Sequence, residues 1–308
     1  MSVARMKDLL AAALEGGYAI GYFEAWDQYS LEACLEAAEE MRSPAILGFG
    51  AAVTDQPWLD RWGVEELAGL ARRLAEAAAV PAAVLFNEAR TVEQIRRGLA
   101  AGCNAVMLDS SHMPWDENLA ATREVVALAR RHEADVEVEL GHLPDARHDA
   151  AAGTMTDPAE AGRFVRETGV SALAVSVGSV HSMAGGAAVI DMERLAAIKA
   201  AVPVPLVLHG GSGIPPEAVP AAAARGVAKI NYGLRMKRVF LEGLAEAATR
   251  AAADVAGGAD VHLSIGAKTG RDVMVCGQAR VRELVSTLMR AYGSAGRASG
   301  SAGGGRRA

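Results

Sequence analysis

Two histidines with glycine-rich neighbours carry the clearest chemical signal in the sequence. His209 lies in VLHGGSG, residues 207–213, and His181 lies in VSVGSVHSMAGG, residues 175–186. Each follows a short apolar run, and two imidazoles placed just beyond adjacent strands can meet in space, where they suit zinc, cobalt, iron or manganese. The glycines of the first segment allow backbone amides to face an anion such as phosphate. A glycine-rich turn that serves only tight backbone geometry is the alternative.

Carboxylates and amides also stand at the ends of apolar runs. The run AAVLF ends in Asn87 and Glu88. Buried strands seldom finish on uncompensated polar groups, because such groups are costly to remove from water. The corresponding positions after other runs hold Glu24 and Asp27, Asp109 and His112, Glu137 and Glu139, and Asn231. Together these residues predict one shared site at the ends of the strands.

The elements that must position these residues alternate regularly along the chain. Apolar runs of strand length alternate with helical patterns rich in Ala, Leu, Arg and Glu. The runs cover residues 18–26, 44–50, 82–87, 104–111, 135–141, 171–178, 204–211 and 227–233. Most lack polar alternation, which is typical of parallel strands covered on both faces. The pattern predicts a (β/α)8 TIM barrel, with a doubly wound open sheet as the alternative.

Helices are predicted between the strands, and an extra helix after the eighth unit. Thr91, Asp116 and Asp157 are predicted N-caps, because a side-chain oxygen before a helix accepts backbone N–H groups. The helical patterns lie near residues 31–42, 64–79, 92–101, 117–132, 158–168, 191–201, 215–225, 234–252 and 272–292. We expect one barrel domain over residues 1–292 and a disordered Gly/Ala/Arg-rich tail over 293–308. Since the strand starts look apolar or proline, the site is predicted at the C-terminal strand ends.

Composition excludes several classes of function. With 51% hydrophobic and 22% charged residues, a chain of 308 residues can build a large core. A net charge of −6 argues against nucleic acid as a partner, and no run approaches the length of a membrane span. Cys34, Cys103 and Cys276 are odd in number and lack metal-site spacing, so we expect reduced thiols in a cytoplasmic protein.

Five motifs resemble those of the class II, metal-dependent ketose-bisphosphate aldolases, which include the fructose- and tagatose-bisphosphate enzymes. They are NAVMLDSSH, VEVELGHL, AVSVGSVHS, LVLHGGSG and KINYG. The resemblance covers nearly the whole chain, in order and at matching spacings. It implies a divalent metal, usually zinc, held by three histidines. The metal of that family polarises the carbonyl of dihydroxyacetone phosphate, so that an enediolate can form and add to an aldehyde.

The resemblance also implies roles for individual residues. His181 and His209 match metal ligands, Glu137 matches a carboxylate behind them, and Glu139 and Asp109 match positions that can hold a displaced or second metal. The phosphate-binding positions match Gly210, Gly211, Ser212, Gly213 and Asn231. Arg282 matches an arginine that reaches from a neighbouring subunit towards the distal phosphate of the substrate, which implies a homodimer or homotetramer. An Arg282 that is merely a solvated charge is the alternative.

The chain departs from the family pattern within the predicted pocket. Where the family has Asp-His, this chain has Asn87-Glu88. Glu88 can replace the third histidine ligand, whereas Asn87 cannot supply a proton at neutral pH but can hydrogen-bond an oxyanion. The loop after the fifth strand lacks the glutamate base of the family, which leaves Asp145, His148 or Asp149.

Three further departures lie around the same pocket. Glu24 replaces an asparagine after the first strand, and Gly48 or Phe49 stands where the family has a serine or threonine after the second strand. After the eighth strand, NYGLRMK lacks a hydroxyl at Leu234 and adds Arg235 and Lys237.

The resemblance implies an aldolase or related lyase that acts on a small phosphorylated, ketose-like substrate, and the departures predict a specificity that has diverged from fructose bisphosphate. The predicted metal ligands are Glu88, His181 and His209, with zinc expected and manganese, cobalt or iron as alternatives. Asn87, Glu139, His148 and Asp149 are the predicted catalytic residues. The alternatives are a non-catalytic barrel subunit, or a metal enzyme of another reaction type such as an isomerase or oxygenase.

Overall fold

A closed barrel of parallel strands forms the centre of the molecule. The structure is a computed structural model that describes residues 3–51, 54–144, 153–180 and 187–298. The strands follow the order of the chain around the barrel, and β8 pairs with β1. They are β1 Ile20–Phe23, β2 Ala45–Gly50, β3 Ala82–Ala89, β4 Ala105–Leu108, β5 Asp135–Leu140, β6 Ala172–Val175, β7 Leu206–Leu208 and β8 Val227–Tyr232. The predicted (β/α)8 barrel is confirmed.

Helices surround the barrel and also cover its N-terminal end. The helices are α1 Met6–Gly16, α2 Gln28–Met41, α3 Gln56–Trp58, α4 Val64–Ala77, α5 Val92–Ala100, α6 Trp115–Arg131, α7 Pro158–Thr168, α8 Met192–Ala201, α9 Val219–Ala223, α10 Leu234–Ala256 and α11 Val273–Ala291. A π-helical turn, Leu59–Gly63, joins α3 to α4, and 3-10 turns cover Gly211–Gly213, Pro216–Ala218 and Val261–Leu263. Among the helices described, none combines the length and apolar character that a membrane crossing requires.

Two of the three predicted helix caps are confirmed. The side chain of Thr91 accepts the N–H of Gln94, and Asp157 accepts N–H groups from the first turn of α7. Asp116 is not a cap, because α6 starts earlier, with Pro114 at the cap position and Asp116 in the first turn. An acidic side chain in a first turn still interacts favourably with the helix dipole.

The polar residues after β1 have separate roles. Asp27 belongs to a helix cap, since its side chain accepts the N–H of Ser30 in a capping box at the start of α2. Glu24 instead lies at the C-terminal mouth of the barrel, which is the end where the strands finish.

Strand β5 carries an acidic side chain at every second position, and these side chains face the barrel interior. Asp135, Glu137 and Glu139 are all buried. Asp135 is the first residue of the strand, so the expectation of apolar or proline strand starts is wrong here. Arg5 Nη2 donates to Asp135 Oδ1 at 2.6 Å, and the backbone N–H of Lys7 donates to Oδ2 at 2.9 Å. The N-terminal end of α1 is thereby anchored beneath the barrel.

The apolar core has two parts. One lies inside the barrel and includes the buried face of α1, and the other lies between the strands and the surrounding helices. The three cysteines are free thiols, and burial raises the pKa of Cys34 and of Cys103 to about 12.

The part of the chain that the structure describes continues for six residues beyond the expected domain boundary at residue 292. The backbone N–H of Gly296 donates to Met41 O, and that of Ala298 donates to Arg42 O, each at 2.8 Å. Ser294 Oγ lies 2.9 Å from Ser43 Oγ, and both side chains are buried. Residues 293–298 therefore dock on the end of α2.

Candidate active site

His209, which follows β7 directly, is buried among carboxylates. Its Nδ1 lies 3.2 Å from Glu88 Oε1 and 3.5 Å from Glu139 Oε2, and its Nε2 lies 3.1 Å from Glu137 Oε1. Burial by itself lowers the pKa of the imidazole, but hydrogen bonds to Glu137 and Glu88 outweigh burial and raise the pKa to about 10. The structure thus brings together Glu88, Glu139 and His209, three of the residues predicted for the site.

The backbone conformation of Glu88 explains how Asn87 and Glu88, which are consecutive, can both place their side chains at the barrel mouth. Successive residues of a regular strand face opposite sides of a sheet. In this chain the β3–β4 register shifts between Phe86 and Ala89, and Glu88 has a φ of 50°. The strain of holding a non-glycine residue in this left-handed region is about 1–3 kcal/mol, and such conformations cluster at functional sites. The conformation lets the Glu88 carboxylate reach His209 while Asn87 remains buried.

A buried lysine neutralises Glu137. Lys229 Nζ lies 2.8 and 3.0 Å from the two oxygens of Glu137 and donates to Asn231 Oδ1 at 2.6 Å. Burial raises the pKa of Glu137, yet Lys229 and His209 outweigh burial and lower that pKa below its ordinary value. Burial lowers the pKa of Lys229. Asn231 Nδ2 lies 2.9 Å from His209 Nε2, so the predicted phosphate residue Asn231 belongs to this network.

The chemistry of these donors fits a divalent metal. An imidazole nitrogen flanked by carboxylate oxygens is a donor set used by catalytic zinc and by non-haem iron. Nδ1 of His209 is the nitrogen that faces Glu88 and Glu139. Within the described ranges, no three His, Cys, Asp or Glu side chains are already arranged as a metal-binding group. The predicted ligand His181 lies outside those ranges.

The glycine-rich segment after β7 turns tightly at the mouth. Gly210 has a φ of 70°, and a Cβ on it would lie 2.4 Å from Val180 O. A Cβ on Gly211 would lie 2.5 Å from Asn231 O, so neither position accommodates a side chain. The N–H of Gly213 donates to Gly210 O at 3.0 Å, which closes the 3-10 turn.

Two further groups lie beside this turn: Ser212, predicted from the family resemblance to bind phosphate, and Arg235, one of the two cations after β8 that we expect to aid the phosphate site. Ser212 and Arg235 both neighbour the phenol of Tyr232, whose pKa is raised by burial and lowered in part by these two residues. Arg235 lies in the first turn of α10, where a helix N-terminus favours anions. The predicted cradle therefore has amides, a hydroxyl and a guanidinium in one region.

Two buried acceptor oxygens at the mouth have no hydrogen-bond partner in the part of the chain that is described. They are Glu24 Oε1 and Asn87 Oδ1. Burial and the charge of Glu88 raise the pKa of Glu24 to about 7, while Lys237 opposes this rise. Lys237 Nζ also lies 5.6 Å from the centre of the Trp26 ring.

Several predicted residues lie away from this cluster. Arg282 is exposed on α11, where its Nη1 lies 3.7 Å from Glu36 Oε2 of α2. It lines a surface cleft of about 570 Å³ on the outer helical layer. Asp109 forms an ion pair with Arg90. The predicted catalytic residues His148 and Asp149, together with Asp145, lie outside the described residues.

Sequence reasoning did not assign Lys229 to the site. Its signal was a single lysine within the apolar run VAKINY, which predicts a buried partner but not which carboxylate supplies it.

Comparison with known proteins decides the family. The family fructose-bisphosphate aldolase class-II matches residues 4–297. The chain belongs to this family. It is therefore a lyase of the aldolase type, and members of the family are generally dependent on a divalent metal.

Solved structures of aldolases share the fold over almost the whole chain. The YdjI aldolase from Escherichia coli K12 is 27% identical, with a TM-score of 0.79 over 96% of this chain and 100% of that chain. A protein from Coccidioides immitis assigned as a fructose-1,6-bisphosphate aldolase is 29% identical, with a TM-score of 0.78 over 96% and 98% of the two chains. The fructose-bisphosphate aldolase from Campylobacter jejuni, at 20% identity, has a TM-score of 0.74 over 96% of each chain and shows the fold.

Proposed function

We propose that this class II aldolase homologue cleaves and forms a carbon–carbon bond in a phosphorylated, ketose-like substrate, with a specificity that differs from that for fructose bisphosphate. One observation carries the proposal: the carboxylates of Glu88 and Glu139 flank Nδ1 of the buried His209 at the barrel mouth. A divalent metal there would be held by Glu88, His181 and His209.

The metal, when bound, polarises a substrate carbonyl as a Lewis acid. Replacement of a histidine ligand by a carboxylate makes the ligand set harder, so manganese, cobalt or iron are candidates beside zinc. Glu137 and Lys229 hold Nε2 of His209 in place, which orients the ring for binding through Nδ1.

The remaining residues bind and orient the substrate. The turn Gly210–Gly213, with Ser212 and Arg235, takes the phosphate. Asn87 donates a hydrogen bond from its side-chain amide to the developing oxyanion. Glu139, His148 and Asp149 are the candidates for moving the proton.

We further propose that the protein works in the cytoplasm on small molecules, without nucleic acid or membrane partners. A homodimer or homotetramer would allow Arg282 to reach the pocket of a neighbouring subunit. The exposure of Arg282 and its long contact with Glu36 are compatible with a side chain that changes partners on assembly.

The test combines metal content with cleavage activity. In His209→Ala and Glu88→Gln we expect loss of the bound divalent metal, measured by elemental analysis, and loss of dihydroxyacetone phosphate release from ketose 1-phosphates by at least about a thousandfold. His132→Ala is the matched control, because His132 is an exposed histidine at the end of α6. Full metal content and activity in both site variants would overturn the proposal. A protein that binds metal without cleaving such sugars would instead be a metal enzyme of another reaction type.

A further inference from the structure

The two unpartnered oxygens at the mouth lie on neighbouring parts of one wall. In the parallel β2–β3 pair, Gly50 is in register with Asn87. A Cβ on Gly50 would lie 1.6 Å from Glu24 Oε1, so the carboxylate occupies the space that a side chain on Gly50 would fill. Residues in register on adjacent strands project to the same face, about 5 Å apart. Gly50 thus lies next to both side chains that carry an unpartnered oxygen, Glu24 and Asn87.

A second glycine gives the same carboxylate its room. A Cβ on Gly233, where α10 begins, would lie 2.7 Å from Glu24 Oε2. Glu24 is therefore seated between the ends of β2 and β8, beside the region of the phosphate cradle. Among the cations around Glu24, Lys237 lowers the pKa of this carboxyl most. The Glu24 carboxylate therefore already offsets the positive charge of Lys237.

The unpartnered oxygens of Glu24 and Asn87 favour a ligand that carries hydrogen-bond donors. A buried acceptor without a partner is costly, and the cost falls when a ligand hydroxyl donates to it. A phosphate dianion has no donor to offer at neutral pH and is repelled by a carboxylate at close range. Glu88 adds negative charge beside Glu24, and Glu24 adds its own above its pKa of about 7.

Building on the aldolase function proposed above, we propose that the wall formed by Glu24, Gly50 and Asn87 binds hydroxyl groups of the aldehyde-derived half of the substrate. The substrate is then a ketose monophosphate with a neutral, polyhydroxylated end. Its phosphate lies in the turn Gly210–Gly213. This differs from the second phosphate contact that the family resemblance implies for Arg282.

The test uses two sugars that differ only in the distal phosphate, D-fructose 1-phosphate and D-fructose 1,6-bisphosphate. Their dissociation constants are measured by calorimetry with the full chain at about pH 8, above the pKa of Glu24. We expect the wild type to bind the monophosphate at least about tenfold more tightly, and Glu24→Gln to reduce that ratio about tenfold, because the substitution removes the charge at nearly constant volume. Glu15→Gln is the matched control, since Glu15 is exposed on α1 at the opposite end of the barrel.

A second variant guards against a folding defect in Glu24→Gln. Gly50→Ala places a methyl group where Glu24 Oε1 lies, so it should displace the carboxylate and also reduce the ratio. Tighter binding of the bisphosphate by the wild type, an unchanged ratio in both variants, or no binding of either sugar would overturn the inference. Failure of the aldolase function would look different. In that case the ratio of the two dissociation constants would still change as expected in the variants, but the wild type would cleave neither sugar phosphate.

Discussion

At the scale of single residues, the pair formed by Lys229 and Glu137 fixes the position of His209. The two oxygens of Glu137 are shared between a lysine on β8 and an imidazole after β7. All three side chains are buried, so each depends on the others for its charge balance. Buried ion pairs are weak sources of stability, but the loss of one partner leaves an uncompensated charge.

Lys229→Met should therefore destabilise the fold by about 3–5 kcal/mol, because Glu137 loses its cation in the barrel interior. Urea unfolding followed by circular dichroism measures the change. The double variant Lys229→Met/Glu137→Met should recover much of the loss, since neither charge remains. A single variant as stable as the wild type would show that His209 alone satisfies Glu137.

Residue types at strand ends predicted much of this cluster. Asn87, Glu88, Glu139 and His209 stood out because polar groups end apolar runs, and a barrel gathers such ends at one mouth. The left-handed conformation of Glu88 left no mark in the sequence, since it depends on the shifted register between β3 and β4. Nor could the sequence show that Gly50 leaves room for Glu24, because that relation joins side chains of different strands.

At the scale of elements, α1 is positioned by one buried carboxylate. Asp135 accepts both the Arg5 guanidinium and the backbone N–H of Lys7, and its side chain is 1% exposed. The Arg5 side chain is about one third exposed, so solvent screens part of the attraction.

Asp135→Ala should lower the free energy of unfolding by about 2–3 kcal/mol, because it leaves the N-terminus of α1 without its acceptor. Hydrogen exchange should show the largest loss of protection in α1. Glu160→Gln, at an exposed carboxylate in the first turn of α7, is the control and should leave exchange in α1 unchanged. Equal protection of α1 in Asp135→Ala would mean that apolar packing alone holds this helix.

The strands were predictable because each apolar run is short and bounded by turn residues. The helix expected over residues 215–225 was harder to predict, because only a part of this segment is α-helical. Pro216 and Pro220 remove backbone donors, and this segment forms a 3-10 turn followed by the short α9. The residue type of Asp116 fits an N-cap, but Pro114 occupies the cap position of α6.

At the scale of the whole molecule, the C-terminal segment holds α11 and α2 together. Truncation after Gly293 should lower the melting temperature by about 3–8 °C, because it removes the buried Ser294 and the backbone bonds of Gly296 and Ala298. Truncation after Ala298 is the matched control, since it retains those bonds. Differential scanning calorimetry distinguishes the two, and equal melting temperatures would contradict the docking.

The glycine-rich composition predicts a disordered tail from residue 293. The contact between Ser294 and Ser43 could not be predicted from composition, because it joins side chains that are far apart in the sequence.

The anchor of α1 also sets an order of events during synthesis on the ribosome. Asp135 is 130 positions beyond Arg5, so at typical translation rates it emerges about 7–26 seconds after its partner. Throughout that interval Met6, Leu9 and Leu10 can contact only the earlier strands of a barrel that is not yet closed. We therefore expect chaperones that attend the ribosome exit to bind the nascent α1. Codons that slow translation between α1 and β5 would lengthen its exposure and lower the yield of folded protein.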